Sequence, residues 1–311
     1  MRPQCLSEMI CSLPAPERIP GLSMGQRILG RTGLRVSEIG IGTEHLKRVG
    51  RERVASIVKE ALASGVNYID LVWSLPTLLE SIADGMDGQR EKVHLTVHLG
   101  SGHQDGKYMR TRKPDQCKKY FEGALSDLHT DYADIVNIHY VKDMQVWKLV
   151  KESGVVDLAV RLKESGRSRA VGISTHDTEV VKLAVDTGVI DVVTFQVNMA
   201  SRNLPGRNEA LKMCADNGVG VVAMKPFAGG KLLQHRKKVK ITKYQTGGIT
   251  VDVRIPATVT PIKCLSYILS QPGVCTAIPG VSNLDELRSV LAYPKATQEE
   301  KDYSQPLKML F

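Results

Sequence analysis

From Met24 onward the chain keeps one rhythm: short runs rich in β-branched residues alternate with stretches of helix length that carry apolar residues along one side. Such alternation demands a parallel sheet, because a strand that returns in the same direction needs a crossover helix. Eight runs read as strands, at 38–41, 68–70, 93–98, 132–139, 170–174, 192–197, 220–224 and 276–279. Helical patterns lie between them, at 53–64, 116–128, 155–164, 179–187, 208–217, 261–269 and 284–291. A short hairpin, 26–29 and 34–36 around the turn sequence GRTG, precedes the first strand. Eight strands with interleaved helices predict an α/β fold of the (β/α)8 TIM-barrel class. An open doubly wound sheet has the same rhythm, but no GxGxxG follows the first strand.

Composition agrees with one folded unit. The chain has 311 residues, 42% of them hydrophobic and 24% charged, a normal size for one such barrel. Its formal net charge of +9 suits a phosphorylated cofactor, nucleic acid or acidic lipid, and equally a merely solvated basic surface. No basic helix or RNA-binding motif accompanies the charge, so nucleic acid and membrane are not expected partners; a small-molecule substrate is. The six cysteines form no CxxC pair, which argues against a cysteine-rich metal site and for reduced thiols in the cytoplasm. No run approaches the roughly 18 apolar residues of a membrane span. Residues 1–23 lack the apolar core of a secretory signal and are expected to be a disordered tail.

The barrel is expected over 24–292 and a loosely held C-terminal tail over 293–311. One connection is long: between Lys225 and Thr260 the chain is rich in Gly, Lys and Thr and includes the basic run 235–240. In a barrel this loop leaves the seventh strand at the end where active sites are built. It reads as a phosphate-gripping loop or as a solvated one.

Five segments carry a more specific message: RILGRTGLRVSEIGIGT (27–43), GVNYID (65–70), DIVNIH (134–139), VGIS (171–174) and IPGVSN (278–283). Together, and in this order, they resemble the aldo-keto reductases. MKPFAGG (224–230) is similar to the branch whose members often carry a C-terminal ferredoxin-like extension, here expected without that tail. The resemblance implies NADPH-dependent reduction of carbonyl compounds without a metal. It also implies four catalytic groups, an Asp, a Tyr, a Lys and a His, which supply a proton and stabilise the developing alkoxide.

Asp70 and His139 stand at matching positions. The Tyr position, five residues after Asp70, holds Leu75, and the Lys position holds His98. Leu75 has no proton to give. Three readings follow. In the first, His98 replaces the acid, because a neighbouring carboxylate stabilises imidazolium. In the second, the barrel binds a dinucleotide or other ligand and has lost ordinary carbonyl reduction. In the third, Asp70, His98 and His139 form a two-histidine, one-carboxylate metal site. Trp73 and Tyr140 flank the expected mouth as cleft walls or core.

For the cofactor, the resemblance implies contacts from Gly42 and Thr43 and, toward the nicotinamide, from Ser174, Thr175 and Gln196. Gly280, Ser282, Asn283 and Glu286 would serve the adenosine end, where a helix start favours phosphate. Thr175 replaces an expected amide, and Val290 stands where Asn is frequent. Lys225 is the preferred basic contact to the pyrophosphate, ahead of Lys231 and the 235–240 run. NADP is the expected dinucleotide.

Overall fold

The computed structural model describes residues 24–235, 238–242 and 250–310. The expected tail 1–23, with Cys5 and Cys11, lies outside the described residues, as do Arg236 and Lys237 of the basic run. An antiparallel hairpin of β1 (Gln26–Ile28) and β2 (Arg35–Ser37) leads in. Then follow β3 (Ile41–Gly42), α1 (Arg51–Ala63), β4 (Tyr68–Leu71), α2 (Pro76–Met86) and β5 (His94–Leu99). A second hairpin, β6 (Ser101–Gln104) and β7 (Lys107–Arg110), is inserted before α3 (Pro114–Asp127) and β8 (Ala133–Ile138). Next come α4 (Met144–Glu152), α5 (Val155–Glu164), β9 (Ser168–Thr175), α6 (Thr178–Asp186), β10 (Val192–Gln196), α7 (Arg207–Asp216) and β11 (Gly220–Met224). A third hairpin, β12 (Lys238–Thr242) and β13 (Thr250–Arg254), precedes α8 (Pro261–Leu269), β14 (Val274–Ile278) and α9 (Leu284–Leu291). The short helices α10 (Gln298–Lys301) and α11 (Ser304–Leu310) follow.

Eight parallel strands stand in the order β3, β4, β5, β8, β9, β10, β11, β14. Parallel bridges from Ile39 to Ala277 and from Gly42 to Gly280 join the first strand to the last, so the sheet is a nearly closed barrel. Closure depends on bare backbone here: the Gly42 N–H donates to Pro279 O at 3.0 Å, and a Cβ on Gly42 would sit 3.0 Å from Ile278 O.

Strand residues alternate between the barrel interior and the helix layer. Leu29, Val36, Tyr68, Ile135, Ala170, Val192 and Val222 form one apolar cluster inside the barrel, with the β1–β2 hairpin packed against its lower end. Two residues further along the same strands the interior turns polar, with Asp70, Asn137 and Thr194. Two residues beyond Thr96, whose hydroxyl meets the Tyr68 hydroxyl at 2.6 Å, stands His98. Strand period alone therefore lifts the polar residues to the C-terminal end.

The register of the two strands that carry the histidines is fixed by Asp134 on β8. Its carboxylate accepts from the Leu95 N–H of β5 at 3.0 Å and from Arg90 at 3.0 Å, and it pairs with His94 and Arg169 at 3.3 and 3.2 Å. Burial opposes its charge, but the His94 hydrogen bond, the Arg90 guanidinium and the Leu95 N–H together hold the carboxyl below its ordinary value.

Several elements depart from the sequence expectations. Helices α2 and α4 and the β6–β7 hairpin were not anticipated, and the long loop after β11 contains a β-hairpin. The C-terminal segment is not a loose tail: α11 buries Pro306 and Leu310, against the Met199–Ser201 turn. A seven-residue helix is too short to display its period in sequence.

Replacing Asp134 leaves the guanidinium groups of Arg90 and Arg169 facing a buried amide. Asp134→Asn is expected to destabilise the fold by about 3 kcal/mol at neutral pH. The carboxyl is more acidic folded than unfolded, so its contribution is complete above the unfolded value of about 3.9 and is lost as pH falls through the lower folded value. Urea midpoints of wild type and variant should differ at pH 7 and converge in acid.

Candidate active site

A cleft of about 510 Å³ opens over the C-terminal ends of the barrel strands, the end where such barrels build their sites. Asp70, His98 and His139 lie in its floor, at the ends of β4, β5 and β8, each less than a tenth exposed. Trp73 and Tyr140 are walls, and both touch the cleft.

The floor is a hydrogen-bonded chain. Asp70 Oδ2 is 3.2 Å from His98 Nε2, His98 Nδ1 is 2.9 Å from His139 Nδ1, and His139 Nε2 is 2.7 Å from the Tyr108 hydroxyl. A carboxylate only accepts, so His98 Nε2 donates to Asp70. With neutral rings, His139 Nδ1 then donates to His98 Nδ1, and the Tyr108 hydroxyl donates to His139 Nε2. Asn137 contacts the same His98 nitrogen at 3.3 Å and Thr194 Oγ1 at 3.1 Å. Turning its amide so that Oδ1 faces both removes a clash of donors at His98. Burial first, then His98, Arg110 and Arg112, hold His139 well below the ordinary imidazole value, so it is neutral near pH 7.

This arrangement does not suit the metal reading. His98 stands between Asp70 and His139 with both nitrogens engaged, so the three side chains lie in line rather than around one point. Among the described residues, no group of three or more His, Cys, Asp and Glu side chains is placed to hold a metal ion.

Of the expected cofactor residues, Gly42, Thr43, Ser174, Lys225, Gly280, Ser282 and Glu286 line the cleft, as does Val290. Thr175, Gln196 and Asn283 are not in its walls. Thr175 Oγ1 instead accepts from the Asp177 N–H at 3.0 Å, and Gln196 is buried on β10. Asn283 caps α9, accepting from the Glu286 N–H at 2.9 Å. Glu286 in turn accepts from both the N–H and the hydroxyl of Ser282, at 2.7 and 2.9 Å. Leu75 lies outside the cleft walls and packs on the hydrophobic layer.

Across the cleft from the histidines, the chain leaving β11 passes through left-handed backbone at Lys225, Ala228, Gly229 and Gly230, with φ of 55°, 50°, 68° and 82°. Nothing stands within 4 Å of a Cβ on either Gly229 or Gly230, so a ligand can approach this backbone closely. A lysine beside open, donor-rich backbone suits a pyrophosphate. The cleft volume is within the ordinary range for cofactor sites. These residues fit a dinucleotide.

Sequence reasoning missed Tyr108. Its signal was present: Asp105-Gly106, both at positive φ (50° and 74°), form the two-residue turn that marks a tight hairpin.

Residues 38–306 match the model of the aldo/keto reductase family. The chain is 26% identical over 299 residues to the uncharacterized oxidoreductase YqkF of Bacillus subtilis, covering 89% of this chain and 94% of that protein. It is 21% identical over 306 residues to the NADH-specific methylglyoxal reductase of Escherichia coli, covering 85% and 91%. Among solved structures, the holo form of aldo-keto reductase AKR11C1 from Bacillus halodurans superposes with a TM-score of 0.73 at 23% identity, covering 92% of this chain and 96% of that one.

Burial also pulls His176, at the cleft wall beside Lys225, down to about 3. His139 and His176 therefore stay neutral in the folded protein at pH 6, whereas unfolded imidazoles take up protons below about 6.5. The unfolded chain then binds more protons, so stability declines as pH falls below that value, by up to about 1.4 kcal/mol per pH unit for each imidazole. Urea denaturation between pH 7.5 and 5 tests this, and a His176→Gln variant should give the shallower slope.

Proposed function

The chain belongs to the aldo/keto reductase family, and from that premise we propose that it transfers hydride between a nicotinamide dinucleotide and a small carbonyl compound. The observation that carries this reading is one cleft with a proton-bearing row, Asp70, His98 and His139, at its floor and a phosphate-suited loop, 225–230, at its far side. A bound reduced nicotinamide supplies the hydride. The chain's own residues must hold the dinucleotide, orient the carbonyl and deliver a proton to its oxygen.

In this reading Leu75 and His98 stand where the family resemblance puts Tyr and Lys. Asp70 keeps its role of orienting a basic neighbour, now His98. His139, neutral and at the cleft floor, joins His98 to the Tyr108 hydroxyl, which faces the carbonyl. Gly42, Thr43 and Ser174 form the nicotinamide end, Lys225 faces the pyrophosphate, and Gly280 and Ser282 serve the adenosine end. Cys117, Cys214, Cys264 and Cys275 are all buried and unpaired, which supports a reducing compartment such as the cytoplasm. No helix among the described residues is long and apolar enough to cross a membrane.

The resemblance implies NADP, but Glu286 bears on the choice. Its carboxylate occupies the Ser282 donors at the start of α9, so a 2′-phosphate arriving there meets a negative charge, whereas a 2′-hydroxyl can donate to it. NADH is therefore expected to bind at least as well as NADPH. Glu286→Gln should shift the ratio of affinities toward NADPH by about tenfold, the effect of removing roughly 1.4 kcal/mol of repulsion.

Fluorescence titration with NADH and NADPH is the direct test. Binding to the wild type, weakened about tenfold or more in Lys225→Ala through loss of a charged phosphate contact, supports the reading. No binding of either dinucleotide overturns it. Binding without reduction of any aldehyde or ketone in a broad panel assigns the barrel to ligand binding instead.

A further inference from the structure

Leu75 removes the hydroxyl from the position where an acid is expected, yet a phenol reaches the same cleft from a different element. Tyr108 lies on β7, in the hairpin inserted between β5 and α3. It lines the cleft, with its hydroxyl 2.7 Å from His139 Nε2. Its ring is wedged edge-on against Trp73, centroids 4.9 Å apart, and Trp73 is itself fixed by donating to Glu44 O at 3.0 Å. Arg110, on the same face of β7, approaches the Tyr108 hydroxyl at 3.4 Å and lies 4.6 Å over the Tyr140 ring.

Exposure separates the candidates for the final donor. His98 is 3% exposed and His139 5%, whereas Tyr108 is 37% exposed. A general acid must come within hydrogen-bond reach of the oxygen it protonates. The geometry points to Tyr108 as the terminal proton donor of this site, supplied by His98 through His139; this rests on the carbonyl-reducing role proposed above.

The transfer balances along bonds already present. When His98 holds both of its protons, Nε2–H donates to Asp70 and Nδ1–H donates to His139 Nδ1. Neutral His139 then carries its proton on Nε2 and donates to the Tyr108 oxygen, which leaves the Tyr108 O–H free to point into the cleft. The carbonyl carbon accepts hydride from the reduced nicotinamide, its π pair moves onto oxygen, and that oxygen takes the Tyr108 proton. The phenol regains a proton from His139 Nε2, and His139 regains one from His98 Nδ1. The carbonyl has become an alcohol, the nicotinamide is oxidised, and His98 has lost one proton. The two bonds that join His98, His139 and Tyr108 now point the other way, from Tyr108 toward His98, while His98 Nε2–H still donates to Asp70. Arg110 at the Tyr108 oxygen stabilises the negative charge that passes through it.

Tyr108→Phe is the test, because it removes one oxygen from a rim side chain and keeps the ring against Trp73. With dinucleotide bound and nitrobenzaldehyde or methylglyoxal as substrate, kcat is expected to fall by about a hundredfold or more, with KM and dinucleotide affinity unchanged. Wild-type kcat in the variant, or a raised KM with kcat retained, overturns the assignment. A second arm needs no turnover: the ¹⁵N resonances of the His139 ring should shift in Tyr108→Phe without dinucleotide, and unchanged resonances overturn the hydrogen bond on which the relay depends. If neither dinucleotide binds the wild type, the reductase reading and the donor role fall together, while the resonance arm still reports the hydrogen-bonded row itself.

Discussion

The Asp70 carboxylate is almost withdrawn from water, and an ionised group so placed must find a donor or lose its charge. It lies at the top of a barrel whose interior is filled with side chains, so its partner has to come from a neighbouring strand. His98 is that partner, one strand away on β5. His98 then presents its other nitrogen to His139 from β8, and His139 presents its own to Tyr108. The need to satisfy one buried charge thus organises four side chains from four strands into a single directed row.

That row requires β5 and β8 to stay in register, which the buried Asp134 enforces from below with its bond to the Leu95 backbone. The division of labour along these strands is simple. Apolar interior residues at the lower end fill the barrel, charged pairing at Asp134 on the outer side locks adjacent strands, and polar interior residues at the upper end meet the cleft. Residues two apart on one strand can therefore serve packing and chemistry without interfering.

The barrel was legible because its signal is distributed: eight periodic runs and five ordered motifs all point to the same architecture. Asp70, His98 and His139 were legible for the same reason, each standing at the end of a strand that announced itself. Tyr108 was not, because it sits in a polar hairpin with only four residues per strand, and its place in the cleft depends on a fold-back that no strand period records. Thr175 and Gln196 differ in the opposite sense. Both occupy positions that the resemblance assigns to the cofactor, Thr175 in place of an amide, but local hydrogen bonding for one and burial for the other keep them out of the cleft walls. The terminal helices escaped notice because they are too short to show a pattern.

The β6–β7 hairpin also ties function to a parity. Along β7 successive side chains face opposite ways, so Tyr108 and Arg110 reach the cleft while Met109, between them, is exposed. Adding or removing one residue between the Asp105-Gly106 turn and Tyr108 leaves the barrel intact but turns a methionine inward and the phenol out. Lengthening by two restores the facing and moves the hydroxyl about 6–7 Å along the strand, beyond the reach of His139. The barrel tolerates many loop lengths at this mouth; a site that borrows its hydroxyl from the hairpin tolerates one.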